Sequence, residues 1–224
     1  MNEEWLSSQI SELVLLYTRT KGFVLNAEEI DPESRSNISV FKEQRDALDH
    51  LVRAAAKYQD GSNSGVDYDY LKDQFSKAKG HIFRAAYDAL DGLVISLKLR
   101  IHSCVQNASH EAIGAAFPEY WDHYSRVEAI EKEVASHRQR KDVGNHHTLD
   151  NLDAYAASVS ELNKISSQCI ARTKAILLYD AKRNDELRKS KSNERRKTVL
   201  DVILKIIIPI VTGLLGLWLG ISKK

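Results

Sequence analysis

In the stretch HRQRKDVGNHHTLDNLDAY, Arg140 is followed after a short polar run by Asn145, His146 and His147. Two of these residue types suit cleavage of an RNA strand by its own 2′-hydroxyl. A histidine titrates near neutral pH and can move a proton. An arginine keeps its charge and can grip phosphate oxygens where a phosphorane turns negative. A second pair with similar spacing, Arg45 and His50, falls inside an expected helix, where five residues turn about 140° and send the side chains to different faces. His146, His147 and Asp150 offer a metal alternative, because 146 and 150 would share a helix face. No distant third ligand accompanies them and adjacent histidines point apart, so no metal and no other cofactor is expected. His81, His102, His110, His123 and His137 are scattered singly and read as structural.

The elements that must position this stretch are helical throughout. Trp5, Ile10, Leu13, Val14 and Tyr17 form a stripe at helical spacing that ends near Gly22, followed by a polar connector from Asn26 to Asn37. Helices are expected over 38–58, over 68–105, from Pro118 towards Gly144, and from Asp150 onward. The run QDGSNSGV (59–66) reads as a mobile loop, and 107–118 as a connector. No helix-breaker separates the last helix from the tail, so it predicts one continuous stalk. RDALDHLVRAA (45–55) and YDALDGLVISL (87–97) echo each other, which suggests two similar helices packed as a hairpin, although such strings are also ordinary amphipathic helix. Four long helices with one extra at the front imply an up-down bundle.

The corner HRQRKDVGNHHTLDNLDAY and the helix bearing EQRDALDHLVRA resemble the HEPN superfamily, compact α-helical bundles that include many metal-independent ribonucleases. In that family the arginine ends the third helix and the histidine opens the fourth, which matches the placement here. The resemblance covers 38–178. It implies an all-α, HEPN-like bundle with His146 as acid/base, Arg140 as transition-state stabiliser, and Asn145 and His147 as supporting residues. It also implies that two subunits pool their motifs in one cleft. Lys141 departs from the family pattern, in which a small polar residue often follows the arginine.

The tail reads VLDVILKIIIPIVTGLLGLWLGIS, with no charge from Ile206 to Ile221. A helix needs about 20 apolar residues to cross a bilayer, so 199–222 predicts a single C-terminal transmembrane helix. Basic residues cluster before it, from Lys182 to Lys197, and only Lys223 and Lys224 follow. That asymmetry predicts a single-pass protein of the cell inner membrane with its N-terminal domain cytoplasmic. Thr212, Gly216 and Gly220 recur every four residues, a small-residue ridge through which two helices could associate. The expected layout is a helix and connector over 1–37, the bundle over 38–178, a charged juxtamembrane stalk over 179–198 and the span over 199–222.

Composition narrows the function classes. Thirty-two basic and 31 acidic residues leave a net charge of +1, so no global field points to nucleic acid or membrane, and the basic excess is local to 182–197. Two cysteines, Cys104 and Cys169, do not make a disulfide framework. The acidic N-terminus lacks the basic region of a secretory signal. There is no glycine-rich phosphate loop, nucleophile elbow or cysteine pair. The family resemblance, joined to the apolar tail, implies a membrane-anchored HEPN-like effector of bacterial defence or stress response, with metal-independent endoribonuclease activity as its candidate chemistry. Its partners would be the lipid bilayer, further copies of itself, RNA and a protein of a defence system. The alternative is a non-enzymatic oligomeric assembly that perturbs or pierces the membrane, or a tail-anchored scaffold.

Overall fold

The computed structural model describes residues 3–31, 37–139 and 148–221, with backbone alone for 3, 62–64 and 214–221. Among the described residues the chain is all-α, with no strand: α1 (Glu3–Ile30), α2 (Ile38–Ser64), α3 (Tyr68–Val105), α4 (His110–Ala116), α5 (Tyr120–Gln139) and α6 (Leu149–Ile221). The central element is α3. It packs on α1, α2 and α6, while α4 and α5 close against α6. One apolar core runs through the bundle, built on Leu90, Leu93 and Leu97 of α3, Ile130 and Val134 of α5, and Leu152, Tyr155 and Leu162 of α6.

Local chemistry sets the helix starts. The Asn37 carboxamide accepts from Ser39 N at 3.0 Å to cap α2, and donates to Asp88 O at 3.1 Å to pin that cap to α3. Asp67 accepts from Tyr70 N at 3.1 Å to start α3. Ser109 Oγ accepts from Ala112 N at 3.1 Å to start α4, while the Ser109 hydroxyl and N–H donate to the Asp180 carboxylate at 2.5 and 2.8 Å. Those bonds hold Asp180 below the usual carboxylate range and fasten α4 to α6. The echoing segments do lie in an antiparallel hairpin: α2 and α3 share the most extensive helix contact of the bundle, with Val40 against Ala85 and Ala89.

Three expected breaks are helical instead. Helix α1 continues past Gly22 to Ile30, because Phe23, Ala27 and Ile30 pack on the core and outweigh the glycine's poor propensity. Helix α2 runs through the expected loop to Ser64 and stops at Gly65, whose φ of 97° is the left-handed region that favours glycine. Gly61 lets the chain turn there, since a Cβ would come within 2.9 Å of Val66 Cα. Within 107–118, burial of Ala112 and Ile113 turns the connector into α4.

Helix α6 is one 73-residue helix, about 110 Å long at 1.5 Å per residue. Its buried stripe, Leu152, Tyr155, Val159, Leu162, Ile165, Cys169 and Ile176, keeps the helical period as far as the bundle reaches. Arg183 makes the last ion pair to another helix, with Glu111, and from Asn184 to Gly213 the helix is exposed.

The expected transmembrane anchor is corrected here: among the described residues no helix is long and apolar enough to cross a membrane, so a single-pass inner-membrane placement is not supported. Asp201 and Lys205 interrupt the apolar segment and pair with each other at 2.7 Å. The charge-free run that follows, 206–221, covers about 24 Å of helix against a hydrocarbon core of about 30 Å. Of the expected association ridge, the Thr212 hydroxyl turns back on its own helix and donates to Ile208 O at 2.7 Å. Gly216 and Gly220 lie where only the backbone is described.

Candidate functional site between the second and third helices

Arg140, Asn145, His146 and His147 lie outside the described residues. The ends of the helices that flank them are tightly tied. Asp91 of α3 accepts from Arg138 Nε at 2.6 Å and from the Tyr155 hydroxyl, and His137 stacks on Tyr155 with ring centroids 5.1 Å apart. Burial, then the bond to Asp91, pushes the Tyr155 phenol far above its usual range, so it stays a neutral donor. Thr148 Oγ1 accepts from Asn151 N at 3.3 Å at the opening of α6. These contacts anchor both helices of the corner.

The described chemistry gathers elsewhere, on the polar side of the α2–α3 hairpin. Helix α2 contributes Glu43 and His50, seven residues apart and therefore on one face. Helix α3 contributes Gln74, His81 and Arg84, which recur at the same helical period. Antiparallel packing brings the two rows together, and the imidazoles of His50 and His81 stack with centroids 5.2 Å apart and planes at 24°.

Hydrogen bonds fix the chemistry of each ring. His50 Nδ1 lies 2.8 Å from Gln74 Oε1, and a carbonyl oxygen only accepts, so the proton of this bond sits on Nδ1. Gln74 Nε2 donates to Asp73 Oδ2 at 3.0 Å, which holds the carboxamide in that orientation. In its neutral form His50 therefore carries its free lone pair on Nε2. His81 Nδ1 stands between Glu43 Oε2 at 2.8 Å and Arg84 Nη2 at 2.7 Å. It donates to the carboxylate in one tautomer and accepts from the guanidinium in the other, so the balance between Glu43 and Arg84 decides where the ring proton resides.

Glu43 also accepts from Arg84 Nε at 2.8 Å. Burial alone would raise its pKa, but the hydrogen bonds from His81 and Arg84 and their charges prevail and hold it below the usual 4.5. Glu43 and His81 keep 17% and 18% of their side chains exposed and Arg84 keeps 29%, so the group is ordered by the bundle yet open to a ligand. At the edge, Arg45 holds Asp46 in a two-point contact at 2.9 and 2.7 Å, and that bond lowers the Asp46 carboxyl. Lys77 pairs with Asp73 at 2.7 Å.

Sequence reasoning rightly separated Arg45 from His50: Arg45 lines a groove with Leu13 and Tyr17 of α1, while His50 faces α3. It missed that His50 and His81 meet, because His81 is solitary in sequence. The readable signal was the echo itself, which puts His50 and His81 on helices that pair. Among the described residues no group of three or more His, Cys, Asp or Glu is placed to hold a metal ion. Cys104 and Cys169 are both buried, and burial together with the neighbouring Cys104 pushes the Cys169 thiol up to about 11.

What the seam can do follows from its parts. It holds two imidazoles, one oriented by a carboxamide and one by a carboxylate, beside a fixed guanidinium. That set can donate a proton, accept a proton and neutralise an oxyanion within a few ångströms. Compared with known protein families, with curated proteins and with solved structures, the chain has no match.

Proposed function

We propose that this chain is a metal-independent endoribonuclease with a HEPN-like bundle, and that the His50–His81 pair beside Glu43 and Arg84 performs the cleavage. The observation that carries the reading is the stacked histidine pair with its two different anchors. In the tautomer where His81 donates Nδ1–H to Glu43, its Nε2 takes the proton of the ribose 2′-hydroxyl. The 2′-oxygen then forms its bond to phosphorus as the bond to the 5′-oxygen breaks. His50, protonated, returns a proton to the departing 5′-oxygen, and Arg84 neutralises the charge on the non-bridging oxygens. The products are a 2′,3′-cyclic phosphate and a 5′-hydroxyl. Arg140 and His146 at the α5–α6 corner are the other location for the same chemistry, supported by the rigid mounting that Asp91, Arg138 and Tyr155 give the flanking helices.

The test is cleavage of a labelled RNA by the full chain in EDTA, with end-group analysis, alongside His50→Ala, His81→Ala and His146→Ala. Cyclic-phosphate products lost in the first two and kept in the third support the seam. Loss only in His146→Ala moves the reaction to the corner. No cleavage by the unaltered chain overturns the nuclease reading.

A second reading, a non-enzymatic homo-oligomeric scaffold, is favoured by the far part of α6. Val199, Leu200, Ile203, Ile206, Ile207 and Ile210 are between 42% and 59% exposed and share one face of the helix, away from Asp201 and Lys205. An apolar stripe on a helix is covered by a neighbour when it works, and the same stripe of a second copy is one such cover. Sedimentation of the full chain checks it, and a monomer at every concentration overturns it.

A further inference from the structure

A cleft of about 460 Å³ lies between α1, α3 and α6, on a different part of the bundle from the histidine seam. Its floor is a single stripe of α3, Leu90, Leu93 and Leu97, and the next residue on that stripe is Arg100. From Leu90 to Arg100 the stripe is about 15 Å long. Asn26 and Glu29 rise from the α1 side and Asn163 from the α6 side.

Arg100 is the feature that needs explaining. At the other helix seams an arginine meets a carboxylate: Arg19 with Asp153, Arg84 with Glu43, Arg126 with Glu161, Arg138 with Asp91. Arg100 is partly buried in the same way, yet among the described residues its guanidinium has no ion pair and no hydrogen-bond partner. Glu29 lines the same cleft without reaching it. A partly buried cation without an anion is costly, and the cost is removed if the anion arrives with a ligand.

We propose that this cleft binds a nucleoside monophosphate, independently of any RNA cleavage at the seam. The apolar walls, Phe23 and Ile30 of α1 and Ala156 of α6 over the buried leucine stripe, take a flat heteroaromatic ring, and Arg100 takes the phosphate through its planar fork. The carboxamides of Asn26 and Asn163 each offer a donor and an acceptor to a base edge, and the Glu29 carboxylate accepts from the ribose hydroxyls. A fatty acid would satisfy the floor and Arg100 but leave three polar groups of the rim unmatched. The volume falls in the range of about 300–1,000 Å³ typical of small-molecule sites.

The experiment is calorimetric titration of the full chain with AMP, GMP, CMP and UMP, with adenosine and inorganic phosphate as separate probes. The expected result is saturable one-to-one binding of at least one nucleotide, weakened about tenfold or more in Arg100→Gln, the loss of one charge-assisted contact. Asn163→Ala, which leaves the guanidinium alone, should weaken the nucleotide without changing the affinity for phosphate. Binding at the cleft is read by its loss in Arg100→Gln and Asn163→Ala, neither of which touches the seam, so a failed nuclease assay leaves this result standing. No binding of any nucleotide, binding unchanged in Arg100→Gln, or phosphate alone binding as tightly as the best nucleotide overturns the proposal.

Discussion

Replacing Glu43 by glutamine keeps the shape of the side chain and removes its charge, which isolates what the carboxylate does in the seam. Two donors converge on Glu43 Oε2, His81 Nδ1 and Arg84 Nε, each at 2.8 Å. A hydrogen bond to a charged partner contributes about 1.5–3 kcal/mol. The amide oxygen still accepts from one donor, and Arg84, 29% exposed, is partly rehydrated. A net loss of about 2 kcal/mol follows, a drop in Tm of about 4–8 °C for a chain of this size. The loss has a pH signature. Glu43 is held below 4.5 in the fold, so its ionised form stabilises the protein above that value, and the contribution disappears as pH falls through the lowered folded value. The gap in Tm between Glu43→Gln and the unaltered chain is therefore full at pH 7 and closes on acidification below 4.5. On the proposed mechanism the chemistry changes as well: without the carboxylate, His81 Nδ1 accepts from Arg84, the ring proton moves to Nε2, and the proposed base is lost. RNA cleavage should fall about 10²–10⁴-fold. Thermal melts from pH 7 to pH 3 and single-turnover cleavage assays measure both effects. A Tm gap that stays constant to pH 3 refutes the ion-pair account, and cleavage equal to that of the unaltered chain refutes the catalytic one.

Tyr155→Phe deletes the donor to Asp91 and leaves that carboxylate to Arg138, so stability should fall by about 1 kcal/mol in chemical denaturation. If the chemistry is at the seam, RNA cleavage should be unchanged in the same protein. Leu162→Ala opens a cavity at a side chain that is 1% exposed and should lower the unfolding free energy by about 2–5 kcal/mol. Gly65→Ala places a Cβ on a residue with φ of 97° and should destabilise by about 1 kcal/mol, read as a shift in denaturation midpoint with unchanged slope.

How far the sequence can be read depends on whether a residue's partners are local. The limits of α3 follow from its own stripe and its Asp67 cap, and they agree with the periodicity of 68–105. The continuity of α6 was legible for the same reason, the lack of any breaker between Asp150 and the tail. The ends of α1 and α2 were not. Phe23, Ala27 and Ile30 are held helical by a core that belongs mostly to α3 and α6, and Gly61 is a close-approach residue and not a terminator. The candidate site divides along the same line. The Arg140 to His147 stretch stood out because its residues are neighbours in the chain, but it lies outside the described residues. His50 and His81 are 31 positions apart, and only the hairpin register joins them. Glu43 and Arg84 carry no signal in the sequence for the same reason, since a contact across helices leaves no spacing to detect. Arg100 was hidden differently, because its distinction is the lack of the carboxylate that the other seam arginines have.

Helix α6 begins at the corner, carries Tyr155 in the core, takes the Asp180 latch to α4 and then continues without a break to Ile221. Mechanically that makes it a lever with its fulcrum inside the bundle. About 57 Å of helix projects beyond Arg183, so a tilt of about 5° within the bundle sweeps the far end by about 5 Å. The relation works in reverse, and it reduces motion as strongly as it magnifies it. Whatever grips the distal end also bears on the orientation of the helix that carries Tyr155, and with it on the mounting of the α5–α6 corner.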